Sequence, residues 1–410
     1  MFHLKPRVKD MVKREIDGLY YITHVDNLIS ILQYGILSHA AVEAQGIKPS
    51  IIYNSSVIDR RKTKEIEGRS LWNFANLYFQ PRNAMLYSLI RSHFKHSDLV
   101  ILFLKKSILD RNDIFISNGN AAHQETRILP VREARQYFQK LKEQVDQEWW
   151  NDHDGSKRKL MAECLVPDRI TPDYIQGIYV STPKVLEKVK NRLKDQTKLG
   201  VAMDKIIISS DPKIFFKPNS RRRIKNISIV QGDMFFSQLQ TLTVSVNCVG
   251  VMGKGLASTA KYRFPDVYVA YQDLCKSKVI KMGKPYVYKR EISAFDDLRD
   301  KDLSDARNCS DLSTWFLLFP TKNHWRNQSS LTDIEQGMQW LVDNYKDQEI
   351  QSLAMPALGC GLGGLSWETV GPLMCRFLVQ MDINCAVYLP SESEIPEAWV
   401  TPEFLLPDVK

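Results

Sequence analysis

Apolar residues in this chain fall into short β-branched runs set between stretches of helical spacing. Near the start, LYYIT at 19–23 is β-prone. Beyond it Leu28, Ile31, Leu32 and Ile36 recur at the spacing of one helix face, with Gly35 as the expected C-cap. On the strand, Tyr21 and Thr23 alternate onto one face and His24 onto the other. YFQPRNAMLY at 78–87 puts Arg82 after a proline and before a helix-like apolar run, and KLMAECLVP at 159–167 is apolar around one carboxylate. In the second half, NISIVQGDMF (226–235), TLTVSVNCVG (241–250), LLFPTK (317–322) and LAMPALG (353–359) each contain a strand. STAKYRF (258–264) and WETVGPLMCRFLVQM (367–381) read as helices.

At 410 residues the chain predicts two or three domains. Its usage is 44% hydrophobic and 25% charged, which excludes long disorder, collagen and disulfide scaffolds. The 7 cysteines form no CxxC pair, which argues for a reducing compartment and against a zinc ribbon, so no metal is expected. No apolar leader opens the chain and no apolar run is long enough for a membrane helix. A cytoplasmic, bacterial protein with no membrane partner is the expectation.

Charge sharpens the division. Residues 1–225 hold 39 Lys and Arg against 25 Asp and Glu, net +14, whereas 226–410 hold 17 against 22, net −5. A basic half suits a polyanion. PNSRRRIKN at 218–226 reads as the seam, because Pro, Asn and Ser make a poor helix or strand. The boundary is expected near residue 222, giving domains 1–222 and 223–410.

In the second half, GVMGKGLA at 250–257 joins a strand to a helix, which aims backbone N–H groups at a phosphate. Gly250, Gly253 and Gly255 allow close approach and positive φ. A second such loop holds Gly359, Gly361, Gly363 and Gly364. Four glycines in six positions exceed what a tight turn explains, and the two loops are expected to clamp a diphosphate from both sides. Between them Lys322, His324 and Arg326 follow a strand end, where α/β ligand sites form. A lysine there suits attack on, or polarisation of, an anomeric carbon.

QGDMF at 231–235, NCVGVMGKGLA at 247–257, FPTKNHWR at 319–326 and PALGCGLGGLSW at 356–367 together resemble a macrodomain of the DarG branch, which removes ADP-ribose from DNA. The resemblance spans about residues 226–395 and implies an α/β/α sandwich on a mixed sheet. It implies that Asp233 accepts from the adenine amino group and that Asn247 contacts the distal ribose. It further implies that Gly250, Val251, Met252, Gly253, Lys254 and Gly255, with Gly359, Cys360, Gly361, Leu362 and Gly363, hold ADP-ribose, and that Lys322 is catalytic. Residues 285–315 are longer than this pattern needs and read as an inserted loop.

In the first half, Glu163 inside Leu160, Met161, Ala162, Leu165 and Val166 is costly to bury unless paired, which makes it a site candidate. VIDRRKTKEI at 57–66 offers Arg60, Arg61, Lys62 and Lys64 for phosphate, although a lone charge run is more often a solvated face. FISNGNAAH at 115–123 places Asn120 near a turn. Taken in order, YYITHVDNL, IDRR, YFQPRNAMLY, SNGNAA and AECLV resemble the DarT toxins, which transfer ADP-ribose from NAD to a base in single-stranded DNA. The resemblance implies an ADP-ribosyltransferase fold with a split β-sheet. It makes Glu163 and Arg61 catalytic and assigns NAD binding to Tyr21, Thr23, His24, Arg60, Arg82 and Asn120. Many relatives carry His where Tyr21 stands, and some carry His at Asn120, so the base preference does not carry over. Trp72, Phe74, Tyr78, Phe79, Trp149 and Trp150 are stacking candidates only in composition, and most are expected in the core.

The two resemblances share one chemistry. Breaking the nicotinamide–ribose bond builds a cation that a carboxylate stabilises, or the carboxylate takes a proton from the attacking base. A fused toxin and antitoxin is the reading, with single-stranded DNA and ADP-ribosylated DNA as partners, and with the acidic half contacting the basic one. The alternatives are an RNA- or protein-directed transferase with a non-hydrolytic reader, and a degenerate transferase acting as a nucleic-acid tether.

Overall fold

The computed structural model describes residues 16–52, 55–92, 94–151, 154–194, 203–291, 313–390 and 394–407. Residues 1–15, read as carrying no apolar leader, and 292–312, the bulk of the expected insertion, lie outside the described residues. The chain divides into two compact units that change over between Phe215 and Phe216.

The first unit is built on eight strands: β1 (Gly18–His24), β2 (Phe74–Tyr78), β3 (Leu99–Lys105), β4 (Phe115–Ser117), β5 (Ile128–Pro130), β6 (Glu163–Pro167), β7 (Ile175–Val180) and β8 (Ile207–Ser210). Their order is β8-β7-β3-β1-β2-β6-β4-β5, antiparallel except between β7 and β8. β1 pairs with β3 from Gly18 to His24 but meets β2 only at Tyr20 and Tyr78. The sheet is therefore two half-sheets joined at one residue pair, which is the expected split. Leu19, Leu77, Val100, Leu102, Cys164 and Val166 project into a core shared with Leu28, Ile31 and Leu32 of helix α1 (Leu28–Tyr34). That helix stops at Gly35, where a Cβ would stand 2.2 Å from the Ile170 carbonyl oxygen. Ile36, expected on the helix face, instead reaches the core from a short strand beyond it. Helix α2 (Ser55–Thr63) carries the basic run, and α3 (Ala84–Ser92) follows the turn that holds Arg82. Trp72, Phe74, Tyr78, Phe79 and Trp150 are buried, as their apolar bulk requires.

The second unit has strands β9 (Asn219–Ile224), β10 (Ile227–Gln231), β11 (Thr241–Asn247), β12 (Tyr286–Tyr288), β13 (Trp315–Lys322), β14 (Ser352–Pro356) and β15 (Asn384–Tyr388). They run in the order β9-β10-β15-β14-β11-β13-β12, parallel in the centre and antiparallel at both edges. Alternate residues of one strand feed two cores, as a sheet covered on both faces demands. Leu317, Phe319, Leu353 and Met355 meet α6 (Leu331–Asn344) and α7 (Trp367–Leu378) on one side. Phe316, Leu318 and Ala354 meet α4 (Gly255–Arg263) and α5 (Pro265–Lys276) on the other. This is the α/β/α sandwich on a mixed sheet.

The basic stretch expected as a linker is a strand. Residues 219–224 pair with β10 at the sheet edge, where charged side chains blunt an otherwise open row of backbone groups. Arg221 ties that edge down by donating to the Ile395 carbonyl and pairing with Glu397. Within the expected insertion, Tyr286–Tyr288 forms the opposite edge strand.

Candidate active sites

Glu163 is the first residue of β6 and is only 1% exposed. Leaving a carboxylate there without partners costs several kcal/mol, on the order of 3–5. Two donors offset that cost. Arg61 Nη1 donates to Oε2 at 3.1 Å, and the Ala121 backbone N–H donates to Oε1 at 2.7 Å. The side chain is thus clamped between α2 and the turn after β4, rather than facing water from an edge strand. Arg61 is itself 6% exposed, and its Nε and Nη2 are buried without a hydrogen-bond partner among the described residues.

The turn that supplies Ala121 is braced on every side. Ser117 Oγ accepts from the Glu163 N–H at 2.8 Å and donates to the Gly119 carbonyl at 2.6 Å. Asn120 Oδ1 accepts from the Ala122 N–H, and the Asn120 N–H donates to the Arg158 carbonyl at 3.0 Å. Lys64 Nζ donates to the His123 carbonyl at 2.8 Å, and burial holds that ammonium below its ordinary pKa, opposed by the nearby Glu163 charge. Asn120 therefore lies beside the carboxylate, next to the residue whose amide touches it.

Other expected residues are placed differently. Register puts Tyr20, Tyr78 and Glu163 in one row across β1, β2 and β6, so Tyr21 and Thr23 belong to the alternate set on β1. Thr23 is buried, its Oγ1 accepting from Asn27 at 3.1 Å, and Asn27 also fastens Ser50 through two hydrogen bonds. His24 Nδ1 accepts from the Asp26 N–H at 3.2 Å and so caps the short helical turn after β1. Arg82 stands four residues past Tyr78, its N–H donating to Gln80 Oε1. Arg60 lies on α2, next to the Arg61 that reaches Glu163.

In the second unit, Lys322 ends β13 in register with Asn247 at the end of β11. Its Nζ donates to the Leu362 carbonyl at 2.5 Å, so the amine sits against the second Gly-rich loop while its backbone borders the first. Asn247 is committed to its own loop: Nδ2 donates to the Val251 carbonyl at 2.6 Å, and Oδ1 accepts from the Val249 N–H at 3.0 Å. Tyr271 of α5 donates to the Asn247 carbonyl at 2.7 Å, and burial raises its phenol well above the ordinary range. Met252 plugs the loop into the core, while Val251, Gly253, Lys254 and Gly255 are exposed. Asp233 accepts from the Phe235 N–H and, at 2.6 Å, from Arg263.

The glycines divide into two kinds. Gly359 has a left-handed φ of 72°, and a Cβ on Gly363 would stand 2.3 Å from the Gly359 carbonyl oxygen. A Cβ on Gly364 would stand 2.2 Å from Gln328. Turn packing therefore accounts for three of the four glycines, contrary to expectation. Gly361 has no heavy atom within 4 Å of a built Cβ, and Gly253 meets only Val251 at 3.8 Å. These two positions face open space. Burial pushes the Cys360 thiol up to about 12, so that residue packs rather than attacks.

Sequence reading missed Ala121, Ser117, Arg158, Arg263 and Tyr271, and offered Lys64 for phosphate where it braces the His123 carbonyl instead. Ala121, Arg158 and the Leu362 carbonyl act through main-chain atoms, for which residue type carries no signal. Arg263 had a usable one: an arginine on the helix that follows a Gly-rich loop.

A family model described as "ssDNA thymidine ADP-ribosyltransferase, DarT" matches residues 20–216, and one described as "Macro domain" matches residues 306–374. The chain is 51% identical, over 95% of its length and 98% of the relative's, to a DNA ADP-ribosyl transferase–DNA ADP-ribosyl glycohydrolase fusion protein of Thermosipho africanus. The solved structure of Thermosipho africanus DarTG in complex with ADP-ribose matches with a TM-score of 0.87 at 49% identity, covering 95% of this chain and 99% of that one. A stretch of 166 residues is 34% identical to a DNA ADP-ribosyl glycohydrolase of Mycobacterium tuberculosis, covering 40% of this chain and 42% of the relative. Among the described residues no helix is long and apolar enough to cross a membrane.

Proposed function

The chain belongs to the family of fused DNA ADP-ribosyl transferase–DNA ADP-ribosyl glycohydrolase proteins, and from that membership we propose how its residues divide the work. The first unit transfers ADP-ribose to thymidine in single-stranded DNA, and the second removes it. Writer and eraser in one chain make a toxin fused to its antitoxin. The observation that carries the residue assignment is the buried clamp of Arg61 and Ala121 on Glu163.

In the first unit NAD is the co-substrate, lying along the main chain of β1 from Tyr21 through Thr23 to His24, with Arg60, Arg82 and Asn120 around it. As the nicotinamide–ribose bond lengthens, positive charge grows at the anomeric carbon. A carboxylate already clamped in one rotamer meets that charge without reorganising. Glu163 then takes the ring N–H proton of thymidine as the nitrogen attacks. The orphaned Nε and Nη2 of Arg61 are a standing cost of about 1–3 kcal/mol per donor, which a phosphate or ribose oxygen entering the cleft relieves. The thymine must be unstacked to be reached, so single strands are the substrate.

In the second unit the two loops hold the diphosphate through backbone N–H groups, with Gly253 and Gly361 leaving room for it. Asp233 receives the adenine amino group on lone pairs left over from Arg263 and Phe235. Asn247 shapes the loop and keeps its second amide N–H for the distal ribose. Lys322 stands where the glycosidic bond lies and attacks or polarises the anomeric carbon. Fusion holds this eraser at an effective concentration on the order of millimolar around the writer's product. We place the protein in the cytoplasm, where NAD and DNA coincide.

The test uses the full chain carrying Lys322→Ala, NAD and a thymidine-containing single-stranded oligonucleotide weighed by mass spectrometry. An ADP-ribose increment that the wild-type chain removes, and that a further Glu163→Gln change prevents, is expected. NAD consumption with no gain of mass on any DNA would move the acceptor to RNA or protein.

A further inference from the structure

Half of the large exposed apolar side chains of the second unit gather at its site. Eight large ones are exposed among its described residues, and four of them, Val249, Val251, Trp325 and Leu362, lie on the three segments that form the site. Trp325 is the largest of the four and is 47% exposed. It stands three residues past Lys322, on the turn that leaves β13. That turn is pinned. The Cys248 N–H donates to the Asn323 carbonyl at 3.1 Å, the Arg326 N–H to His324 Nδ1 at 3.3 Å, and the Asn327 N–H to the His324 carbonyl at 2.9 Å. The Arg326 guanidinium lies over the indole, 4.6 Å from its centroid, and the His324 ring is 5.3 Å away. A flat apolar ring is thus fixed in water with a cation against it.

This arrangement matches one class of ligand. Single-stranded nucleic acid presents bases to stack on an aromatic face and phosphates to pair with an adjacent cation. The site already handles a molecule whose two ends differ: ADP-ribose on one side of the scissile bond and DNA on the other. The Gly-rich loops take the first end, so the turn beyond Lys322 is free for the second. Accepting the glycohydrolase assignment of Lys322, we propose that Trp325 and Arg326 form the docking platform for the DNA strand that carries the ADP-ribose. Trp325 stacks on a base next to the modified thymidine and Arg326 pairs with the neighbouring phosphate. Trp325 is then a specificity-determining residue, selecting modified DNA over modified thymidine lacking neighbours.

The experiment measures hydrolysis by the full chain, without NAD, on two substrates: ADP-ribosylated thymidine as a mononucleoside, and a trinucleotide centred on it. Trp325→Ala is expected to lower kcat/KM on the trinucleotide by about tenfold, mostly through KM, as loss of one base–aromatic stack predicts. The mononucleoside rate and the affinity for free ADP-ribose are expected to stay within about twofold, since the two loops are untouched. Trp325→Phe should recover most of the loss. An equal loss on both substrates, or no loss on the trinucleotide, overturns the platform and leaves the glycohydrolase intact. Failure of the wild-type chain to cleave either substrate overturns the glycohydrolase assignment itself, and the platform with it.

Discussion

In the first unit the group we assign as reactive is a buried carboxylate, whereas in the second it is an amine set against a Gly-rich loop. Glu163 depends on named partners: a guanidinium from one element and an N–H from another. The second site depends instead on the path of the main chain, fixed by Asn247, Tyr271 and the packing of Gly359 and Gly363. A buried charge is sensitive to every donor around it, because each loss leaves the charge undersatisfied. A backbone cradle is sensitive to added volume and to φ, and tolerates most side-chain changes that leave the turn intact. The two halves of one chain should therefore break in different ways.

The widest separation is catalytic. Glu163→Gln should lower DNA modification about a thousandfold or more while leaving removal of ADP-ribose unchanged, and Lys322→Ala should do the reverse by about a hundredfold or more. Mass spectrometry on both reactions checks it, and any variant that slows the two together would mean that the two sites are not independent. Next in size is Arg61→Ala. It removes one of the two donors to a buried carboxylate and should cost the first unit about 3–5 kcal/mol. Hydrogen exchange of the β6 amides reads that loss locally. Arg61→Lys should not restore it, since a compact ammonium cannot reproduce the guanidinium fork. Unaltered exchange in Arg61→Ala would mean that Ala121 alone secures Glu163.

The cradle gives a finer contrast. Gly363→Ala drives a methyl into the Gly359 carbonyl oxygen, 2.3 Å away, and should destabilise the second unit by about 1–3 kcal/mol. Gly361→Ala meets no neighbour within 4 Å, so stability should move by less than about 0.5 kcal/mol. Its affinity for ADP-ribose should still fall. Calorimetric titration beside thermal melting separates the pair, and equal behaviour of the two would undo the division between packing glycines and ligand-facing ones.

The smallest effect concerns His39, whose ring stacks on Trp72 at 4.1 Å. Burial first, and then the Arg61 charge, push it down from 6.5 to about 4, with Lys62 acting the same way and Glu43 opposing. Between those values the unfolded chain holds a proton that the folded one does not, so acid favours unfolding. Stability is full above pH 6.5 and declines as pH falls toward about 4. His39→Gln should flatten that slope in denaturant unfolding, and an unchanged slope would assign the decline to carboxylates.

Much of this molecule is legible in its sequence. β-Branched runs marked the central strands, because burial on both faces leaves only apolar choices. Glu163 stood out because a carboxylate inside an apolar run needs a partner to be tolerated. The Gly-rich loops and Lys322 were visible as residue types set at strand ends. Tertiary structure decided the rest. It chose Arg61 rather than Arg60 as the partner of Glu163, since neighbours on a helix point about 100° apart and only packing says which points inward. It supplied Ala121, whose contribution is an N–H that every residue but proline possesses. It turned the basic stretch at 219–224 into an edge strand, because pairing needs only backbone groups and the edge accepts charge. It also showed which glycines the turn itself consumes, through contacts with Ser329 and Gln328 some thirty residues away in the chain. Local chemistry is written in side chains, whereas the main-chain donors and the contacts between distant segments exist only once the chain has folded.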